Sequence, residues 1–201
     1  KVLILHDGVD INNFKKRITL KQIKIATYVG SFYKGRGIEI IQELASKFKN
    51  IEFRLYGDKI DNLKKTSRNI KFLGHINYSK VPSVLSKSHV LLMPYANQVS
   101  VRAKNINTAN YCSPLKMFDY LAAGKIIMSS KLDGICEILK HKKNAIIVDK
   151  YHKDNWIEEL NNLLKNRYNI RKISKNSFDT AKKNTWNKRV IKIMDASRFQ
   201  E

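Results

Sequence analysis

Hydrophobic residues in this chain are concentrated in short continuous runs, which lie between longer segments with helical periodicity. The runs are rich in Ile, Val and Leu, and most of them are followed by Gly, Pro or Asp. Apolar runs without polar alternation are typical of strands that are buried on both faces of a sheet. The predicted strands cover residues 2–5, 24–29, 51–56, 70–73, 90–93, 125–128 and 145–148.

The segments between these runs place apolar residues at every third or fourth position, which predicts helices. They cover residues 38–48, 79–87, 113–123 and 133–140. After residue 155 the pattern is helical only, and Thr185 is placed to cap a last helix over 186–198. Alternating strands and helices predict an α/β fold, namely a Rossmann-like, doubly wound parallel sheet with C-terminal helices. Such a sheet binds its ligands beyond the carboxyl ends of its strands.

The stretch from 113 to 130 has the clearest pattern and is the predicted centre of the functional site. Ser113 is a favoured N-cap, Pro114 suits the first helical position, and Gly124 is placed to end the helix in a left-handed turn. Lys116 lies in the first turn, where the positive end of the helix dipole disfavours a cation. An anion would resolve this conflict, so the helix start is a candidate diphosphate site. A solvated lysine whose charge is merely tolerated is the alternative.

The glycine-rich turn over 30–37 is the second candidate, because glycine lets a backbone approach a ligand closely. Gly30 and Gly35 have the spacing of a phosphate-binding loop, but Arg36 and Gly37 stand where that loop needs Lys and Ser or Thr. The turn does not match the dinucleotide fingerprint either. A P-loop nucleoside triphosphatase is therefore not expected.

The sequence offers no pattern that would hold a metal. Its five histidines show no paired spacing, and no Asp-x-Asp dyad is present to fix a metal on a diphosphate. The expectation is a metal-independent site without a cofactor. The charge of a phosphate ligand would be neutralised by Lys34, Arg36, Lys116 and backbone N–H groups.

Composition adds charge to this picture. The 201 residues are 43% hydrophobic, which is enough for one core, and the formal net charge is +22. Such an excess attracts nucleic acid, anionic membranes or phosphorylated ligands without choosing among them, and a general preference for lysine explains part of it equally well. No apolar run has the length of a membrane span, no signal peptide is recognisable, and the two cysteines do not form a disulfide framework. A cytoplasmic protein is expected.

Several of these segments occur together, in order, in one family. They are His6 to Asp10 with Phe14; Val29 and Gly30 with Arg36 to Glu39; Gly57; Phe72 and Gly74; Met93 to Tyr95; the block from Ser113 to Gly124; Glu137 to Leu139; and Thr185, Trp186 and Arg189. In these features the chain resembles the carboxyl-terminal, donor-binding domain of a GT-B fold glycosyltransferase of the retaining glycosyltransferase family 4. The resemblance spans almost the whole chain.

The resemblance implies roles for individual residues. Arg36 and Lys116 would be the catalytic cations, which stabilise the leaving diphosphate. Ser31 stands where many members have Arg, a gap that Lys34 or Lys116 would fill. Asp119 matches the second carboxylate of the family's two-glutamate motif, which binds the ribose hydroxyls.

The resemblance also places the rest of the donor. The first glutamate of the two-glutamate motif corresponds to Tyr111. The backbone from Ser113 to Met117, which includes Pro114 and Leu115, would cradle the phosphates, and Gly74 and His75 would lie beside the base. Gly30 is a further donor-binding residue.

The implied function is transfer of a sugar from a UDP- or GDP-sugar to a glycan or lipid-linked acceptor with retention, in bacterial polysaccharide biosynthesis. The implied organisation is an interdomain connector over 1–22, a donor-binding domain over 23–184 and a C-terminal helix over 185–201, which packs toward a missing N-terminal acceptor domain. The fragment alone should transfer little or no sugar. It would act in the cytoplasm, with peripheral membrane contact as a further expectation.

Two alternatives follow from the charge. One is a nucleic-acid-binding Rossmann-like domain, although the sequence has no RNA-binding aromatic signature or recognition helix, so no nucleic acid partner is expected. The other is a membrane-surface module that uses the basic tail.

Overall fold

Six parallel strands form the single sheet of the described chain. The computed structural model describes residues 4–15, 22–58, 67–99, 107, 109, 113–149 and 151–198. The strands lie in the order β3-β2-β1-β4-β5-β6, so the direction of winding reverses between β1 and β4. Their bounds are β1 Ile25–Val29, β2 Glu52–Tyr56, β3 Ile70–Phe72, β4 Val90–Met93, β5 Ile126–Ser130 and β6 Ile146–Val148. This confirms the predicted doubly wound sheet.

Seven α-helices lie among the described residues. They are α1 Ile38–Lys47, α2 Val81–Ser86, α3 Leu115–Ala123, α4 Asp133–Cys136, α5 Lys153–Leu164, α6 Ile170–Lys183 and α7 Trp186–Arg198. Two short 3₁₀ turns, Ile11–Asn13 and Tyr78–Lys80, precede β1 and α2. Helices α1 to α4 lie between successive strands in the sequence, as the alternating pattern predicts, and α5 to α7 follow the last strand.

The core has two layers because alternate residues of each strand point to opposite faces. One layer joins α1 and α5 to strand residues such as Phe53 and Leu92, and the other joins α2 and α3 to residues such as Leu91 and Ile127. These side chains are at most 1% exposed. Burial of each such side chain contributes about 2 kcal/mol to folding.

Some predicted boundaries are wrong. Leu5 is not part of a strand, because its carbonyl accepts a hydrogen bond from the Arg189 side chain at 2.9 Å instead of a strand partner. The helix predicted over 79–87 is a 3₁₀ turn followed by the six residues of α2. Strand β5 continues through Ser129 and Ser130, which pair with β6 despite their polarity.

The start of α3 also differs from the prediction. Pro114, and not Ser113, is the N-cap: its ψ of 124° is extended, and its carbonyl accepts the Met117 N–H at 2.8 Å. The end of the helix is as predicted, since Gly124 is left-handed with φ 61°.

The two ends of the described chain lie together. Val9 forms a parallel bridge with Thr185, and its N–H donates to the Asn184 carbonyl at 3.1 Å. Arg189 donates to the carbonyls of Leu5 and His6. The predicted Thr185 cap of α7 is confirmed by a bond of 3.3 Å from the Lys188 N–H to the Thr185 hydroxyl. The segment before β1 is thus fixed by the last helix.

Helix α7 leaves an apolar face uncovered. The exposed fractions of its side chains are 40% to 55% for Trp186, Val190, Ile191, Ile193 and Met194. No helix of the described residues combines the length and apolarity needed to cross a membrane.

Candidate functional site

The candidate site lies at the carboxyl edge of the sheet, where β1 and β4 are neighbours and the winding reverses. Here three loops are tied to one another. The Gly30 N–H donates to the Tyr56 carbonyl at 2.8 Å, and the Gly57 N–H donates to the Gly74 carbonyl at 3.0 Å. The loops after β1, β2 and β3 therefore form one surface next to the start of α3.

The glycine-rich loop packs against the loop after β4. Gly35 and Gly37 have φ angles of 81° and 78°, and a Cβ at either would overlap a carbonyl oxygen, that of Gln98 or that of Pro94. The Ala96 N–H also donates to the Gly35 carbonyl at 2.9 Å. These two glycines are therefore required by contact between two loops of the protein.

Gly30 has a different role, because it makes room for Lys116. A Cβ on Gly30 would overlap the Lys116 ammonium, and its φ of 140° also favours glycine. The ammonium nitrogen lies 4.0 Å from the centre of the Tyr28 ring and 5.6 Å from that of Tyr95. Such distances correspond to cation–π interactions.

Arg36 approaches the same aromatic cluster from the glycine-rich loop. Its guanidinium carbon lies 5.2 Å from the centre of the Tyr95 ring. Its Nε is buried and has no hydrogen-bond partner among the residues that the structure describes. Lys116 and Arg36 thus converge on one buried ring, although 80 positions separate them in the sequence.

Burial keeps the aromatic cluster uncharged. It raises the pKa of Tyr28 well above the usual value, with smaller contributions from Tyr95 and Tyr120, and it raises the pKa of Tyr120 as well. The Tyr28 hydroxyl donates to the Ser31 carbonyl at 2.7 Å, and the Tyr120 hydroxyl accepts the Val29 N–H at 2.8 Å. These rings therefore position the two cations without neutralising their charge.

The start of α3 adds partial positive charge at this edge. Its first turn contains no acidic residue. The Met117 N–H is used within the first turn, while the Ser113 hydroxyl is buried without a hydrogen-bond partner among the described residues. A helix N-terminus beside two cations is suited to binding an anion with more than one negative charge.

Asp119 lies one turn further along α3. It is 7% exposed and accepts a hydrogen bond of 2.8 Å from the Tyr78 hydroxyl. Burial raises the pKa of its carboxyl to about 6, although the bond from Tyr78 acts in the opposite direction. This carboxylate is a hydrogen-bond acceptor near neutral pH, as a ligand hydroxyl would require.

A model of the family described as glycosyl transferases group 1 matches residues 23–166. The chain belongs to this family. The match covers every strand of the sheet and α1 to α5. No curated protein matches the chain.

Solved structures share the fold of this chain. One is Alr3699/HepE of Anabaena in complex with UDP-glucose, with 13% identity, a TM-score of 0.75, and coverage of 95% of this chain and 56% of that chain. Another is sucrose-phosphate synthase of Thermosynechococcus elongatus, with 14% identity, a TM-score of 0.74 and coverage of 96% and 51%. The chain spans about half the length of these two proteins. The resemblance to GT-B glycosyltransferases is confirmed at the level of the fold.

A third structure has nearly the length of this chain. It is the C-terminal domain of the group 1 family protein LpcC of Francisella tularensis, with 16% identity and a TM-score of 0.64. The alignment covers 87% of this chain and 97% of that domain. The described fold therefore matches the carboxyl-terminal half of a GT-B glycosyltransferase.

The remaining residues predicted for the site lie at the same edge. Ser31 is partly buried, and Lys34, His75 and Leu115 are exposed. Gly74 has a φ of 70°, and a Cβ there would meet open space. The predicted set is therefore gathered at one edge, while Tyr111 lies outside the described residues.

Sequence reasoning missed the aromatic side chains of the site. Tyr28 and Tyr95 contact the cations, Tyr78 binds Asp119, and Phe32 packs edge-on against Phe72 with ring centres 6.1 Å apart. The available signal was their position at or beyond the carboxyl end of a strand. Ordinary core residues occupy the same kind of position, so this signal does not identify the aromatic site residues without the structure.

No group of three His, Cys, Asp or Glu side chains with metal-binding geometry occurs among the described residues.

Proposed function

We propose that this chain is the donor-binding domain of a glycosyltransferase that transfers a sugar from a nucleoside diphosphate sugar. The observation that supports the proposal most directly is the convergence of Lys116 and Arg36 on Tyr95, beside the start of α3. Lys116, Arg36 and the helix dipole together suit the two adjacent phosphates of such a donor. The complex of the Anabaena relative with UDP-glucose supports a uridine donor, and a guanosine donor is the alternative.

In this proposal the two cations are electrostatic catalysts. Cleavage of the sugar–phosphate bond increases the negative charge on the leaving diphosphate. Fixed cations therefore stabilise the transition state more than the ground state. The buried rings of Tyr28 and Tyr95 fix the cations before the donor binds, so little reorganisation is needed during the reaction.

The other predicted donor contacts complete the proposal. The Asp119 carboxylate would accept hydrogen bonds from the ribose hydroxyls, while Gly74 and His75 would lie beside the base. Backbone groups at Gly30, Ser31 and the start of α3 would contact the phosphates, together with Lys34. The site would need no metal, and retention of the anomeric configuration is proposed from the resemblance to family 4.

The acceptor is proposed to bind a second domain, because the chain spans about half the length of the two larger relatives. That domain would cover the exposed apolar face of α7, and its acceptor would be a glycan or a lipid-linked glycan at the cytoplasmic face of a membrane. We expect the chain alone to bind nucleotide and to transfer little or no sugar. Sugar transfer by the chain alone would contradict this division of roles.

The decisive experiment is calorimetric titration of the chain with UDP, GDP and their sugars. Lys116→Met retains an unbranched apolar side chain and removes the charge, so we expect affinity for the preferred nucleotide to fall about tenfold. Lys143→Met removes the same charge from an exposed position outside the site and should leave affinity unchanged. Equal effects of the two substitutions would refute a specific role for Lys116.

A competing oligonucleotide tests the alternative that the charge suggests. If the chain binds no nucleotide but binds the oligonucleotide tightly, it is a nucleic-acid-binding domain and the donor proposal fails. Binding to anionic vesicles that is lost when the chain is trimmed after Asn184 would locate membrane contact in α7.

A further inference from the structure

A large basic cavity lies at the amino edge of the sheet, opposite the candidate donor site. Its volume is about 1260 Å³. Four residues of its lining directly precede strands: Lys24 before β1, Ile51 before β2, His89 before β4 and Lys125 before β5. The ends of α1 and α5 and the start of α6 complete the wall. The cavity is therefore formed by the whole width of the sheet centre and not by one loop.

The lining of this cavity is strongly and uniformly positive. Its cationic side chains are Lys24, Lys47, Lys49, Lys125 and Arg171. None of the described residues that line it is an Asp or Glu. The neighbouring carboxylate, Glu52, forms an ion pair with Arg54 and does not line the cavity. Several cations that face one space repel one another unless an anion lies between them.

Helix ends account for only part of this charge. Lys47 lies in the last turn of α1, where the C-terminal carbonyls favour a cation. Lys24 lies before β1, and Arg171 lies in the first turn of α6, where the dipole disfavours a cation. The 14-residue helix α6 adds the positive end of its own dipole. The cavity therefore contains more positive charge than interactions with the C-terminal ends of helices can explain.

Lys125 of the lining is 3% exposed, and His89 is partly buried. The Nδ1 of His89 is buried with no hydrogen-bond partner among the described residues, and the pKa of His89 is lowered by burial and then by Lys125 and Arg54. An anion in the cavity would favour the protonated form of His89.

We propose that this cavity is a second anion-binding site, which takes a ligand with a phosphate group. Phosphate fits better than a single carboxylate because it offers up to two charges and several acceptor oxygens to cations that come from different walls. The cations surround a concave space, which favours a small phosphorylated compound. The proposal goes beyond the donor-binding function and does not depend on it.

The experiment is a calorimetric titration of the chain with inorganic pyrophosphate. Lys24→Gln with Arg171→Gln removes two exposed cations of the cavity, and we expect affinity to fall about tenfold or more. Lys143→Gln with Lys188→Gln removes the same charge from exposed positions outside the cavity and should have little effect. Equal losses in the two double variants would overturn the proposal, because they would reflect net charge alone.

The donor site is a second place where pyrophosphate could bind, so Lys116→Met is titrated as well. Pyrophosphate binding that is lost in Lys116→Met and retained in the cavity variant would overturn the proposal. Independent support would come from the His89 imidazole resonance, which should move on addition of pyrophosphate and titrate at a higher pH. An unchanged His89 resonance at saturation would count against the cavity.

Vesicles distinguish the source of the phosphate. Phosphatidylglycerol vesicles are added to the wild type, the control double variant and the cavity double variant. If the vesicles bind the first two but not the cavity variant, and if they displace pyrophosphate, the ligand is a lipid headgroup. Pyrophosphate binding that is unaffected by these vesicles would identify a soluble phosphate. A single-stranded oligonucleotide that displaces pyrophosphate equally from all variants would overturn the proposal.

Discussion

At the scale of single residues, the position of the Lys116 charge depends on aromatic rings. The ammonium lies over Tyr28 and beside Tyr95, and Gly30 leaves the space that it fills. A cation–π interaction contributes about 0.5 to 2 kcal/mol and leaves the charge of the cation intact. A carboxylate partner would instead neutralise the cation that the proposed diphosphate needs.

Substitutions at Tyr28 test this dependence. Tyr28→Phe retains the ring and removes the hydroxyl that bonds to the Ser31 carbonyl, so the free energy of unfolding should fall by about 1 kcal/mol. Nucleotide affinity should remain within about twofold of wild type, because the cation–π contact persists. Tyr28→Leu removes the ring, and affinity should fall about fivefold. Urea unfolding and calorimetry measure the two effects, and equal affinities of the Phe and Leu variants would refute the role of the ring.

The raised pKa of the Asp119 carboxyl makes the stability of the folded chain depend on pH, with a sign that can be predicted. Its native pKa of about 6 is above the ordinary 3.8, so the folded chain binds this proton more tightly than the unfolded chain. The stabilisation is fully present below about pH 4 and is lost as the pH rises through 6. Asp119→Asn resembles the protonated form at every pH. The unfolding free energy of Asp119→Asn relative to wild type should therefore increase by about 2 kcal/mol between pH 4 and pH 7.

Denaturant unfolding at several pH values measures this difference. Asp195→Asn, at an exposed position of α7, is the matched control for the loss of one carboxylate. If the difference in unfolding free energy between Asp119→Asn and wild type does not change with pH, the pKa of the Asp119 carboxyl is not raised in the folded chain.

At the scale of elements, α7 fixes the segment that precedes β1. Arg189 bonds to the Leu5 and His6 carbonyls and lies 3.5 Å from the Asp7 carboxylate, while Gly8 lies against the backbone of Thr185 and Trp186. The Arg189 side chain of α7 therefore holds the irregular segment around Leu5 and His6 in place. The apolar face of α7 makes no comparable contact with the residues that the structure describes.

Arg189→Gln should release this stretch. The loss of charge-assisted hydrogen bonds lowers the unfolding free energy by about 2 kcal/mol, and exchange of the Val9 amide hydrogen should accelerate more than that of β4 amides. Lys188→Gln, one position earlier and exposed, is the control and should change neither quantity. Equal exchange rates of the Val9 amide in both variants would show that Arg189 is dispensable for this contact.

The strands, helices and turns were predictable from the local sequence pattern, but the long-range contacts between them were not. Strand β4 has the predicted bounds and Gly124 has the predicted left-handed turn, because both depend on neighbouring residues only. Leu5 was assigned to a strand because it is apolar, whereas its carbonyl is bound by a residue 184 positions away. The contact between Lys116 and Tyr28 likewise spans most of the sheet domain. Such pairs follow from the topology and not from spacing.

At the scale of the whole molecule, the positive residues behind the net charge of +22 lie at both edges of the sheet and elsewhere on the surface. The carboxyl edge presents Lys116 and Arg36, and the amino edge presents the basic cavity. The sequence showed the excess of lysine, but only the fold separates the two edges. General attraction to polyanions and specific binding at either edge should therefore differ in their response to salt.

This difference predicts two salt dependences. Oligonucleotide binding through many dispersed lysines should weaken by about a thousandfold between ~50 and ~200 mM salt, because many counterions are released. Binding of UDP, which has one diphosphate, should weaken by about tenfold or less over the same range. Fluorescence anisotropy and calorimetry measure the two. Parallel slopes would mean that nucleotide and oligonucleotide bind through the same diffuse charge.

The pairing of Val9 with Thr185 has a consequence for synthesis of the chain. During translation the stretch around Val9 emerges before the sheet, while the residues that hold it emerge only after the whole sheet has been made. Because a contact between distant parts of a chain cannot form until both parts are present, the stretch around Val9 should reach its native position only after α7 has been made. A domain that preceded this stretch would therefore fold first and remain loosely tethered until α7 left the ribosome.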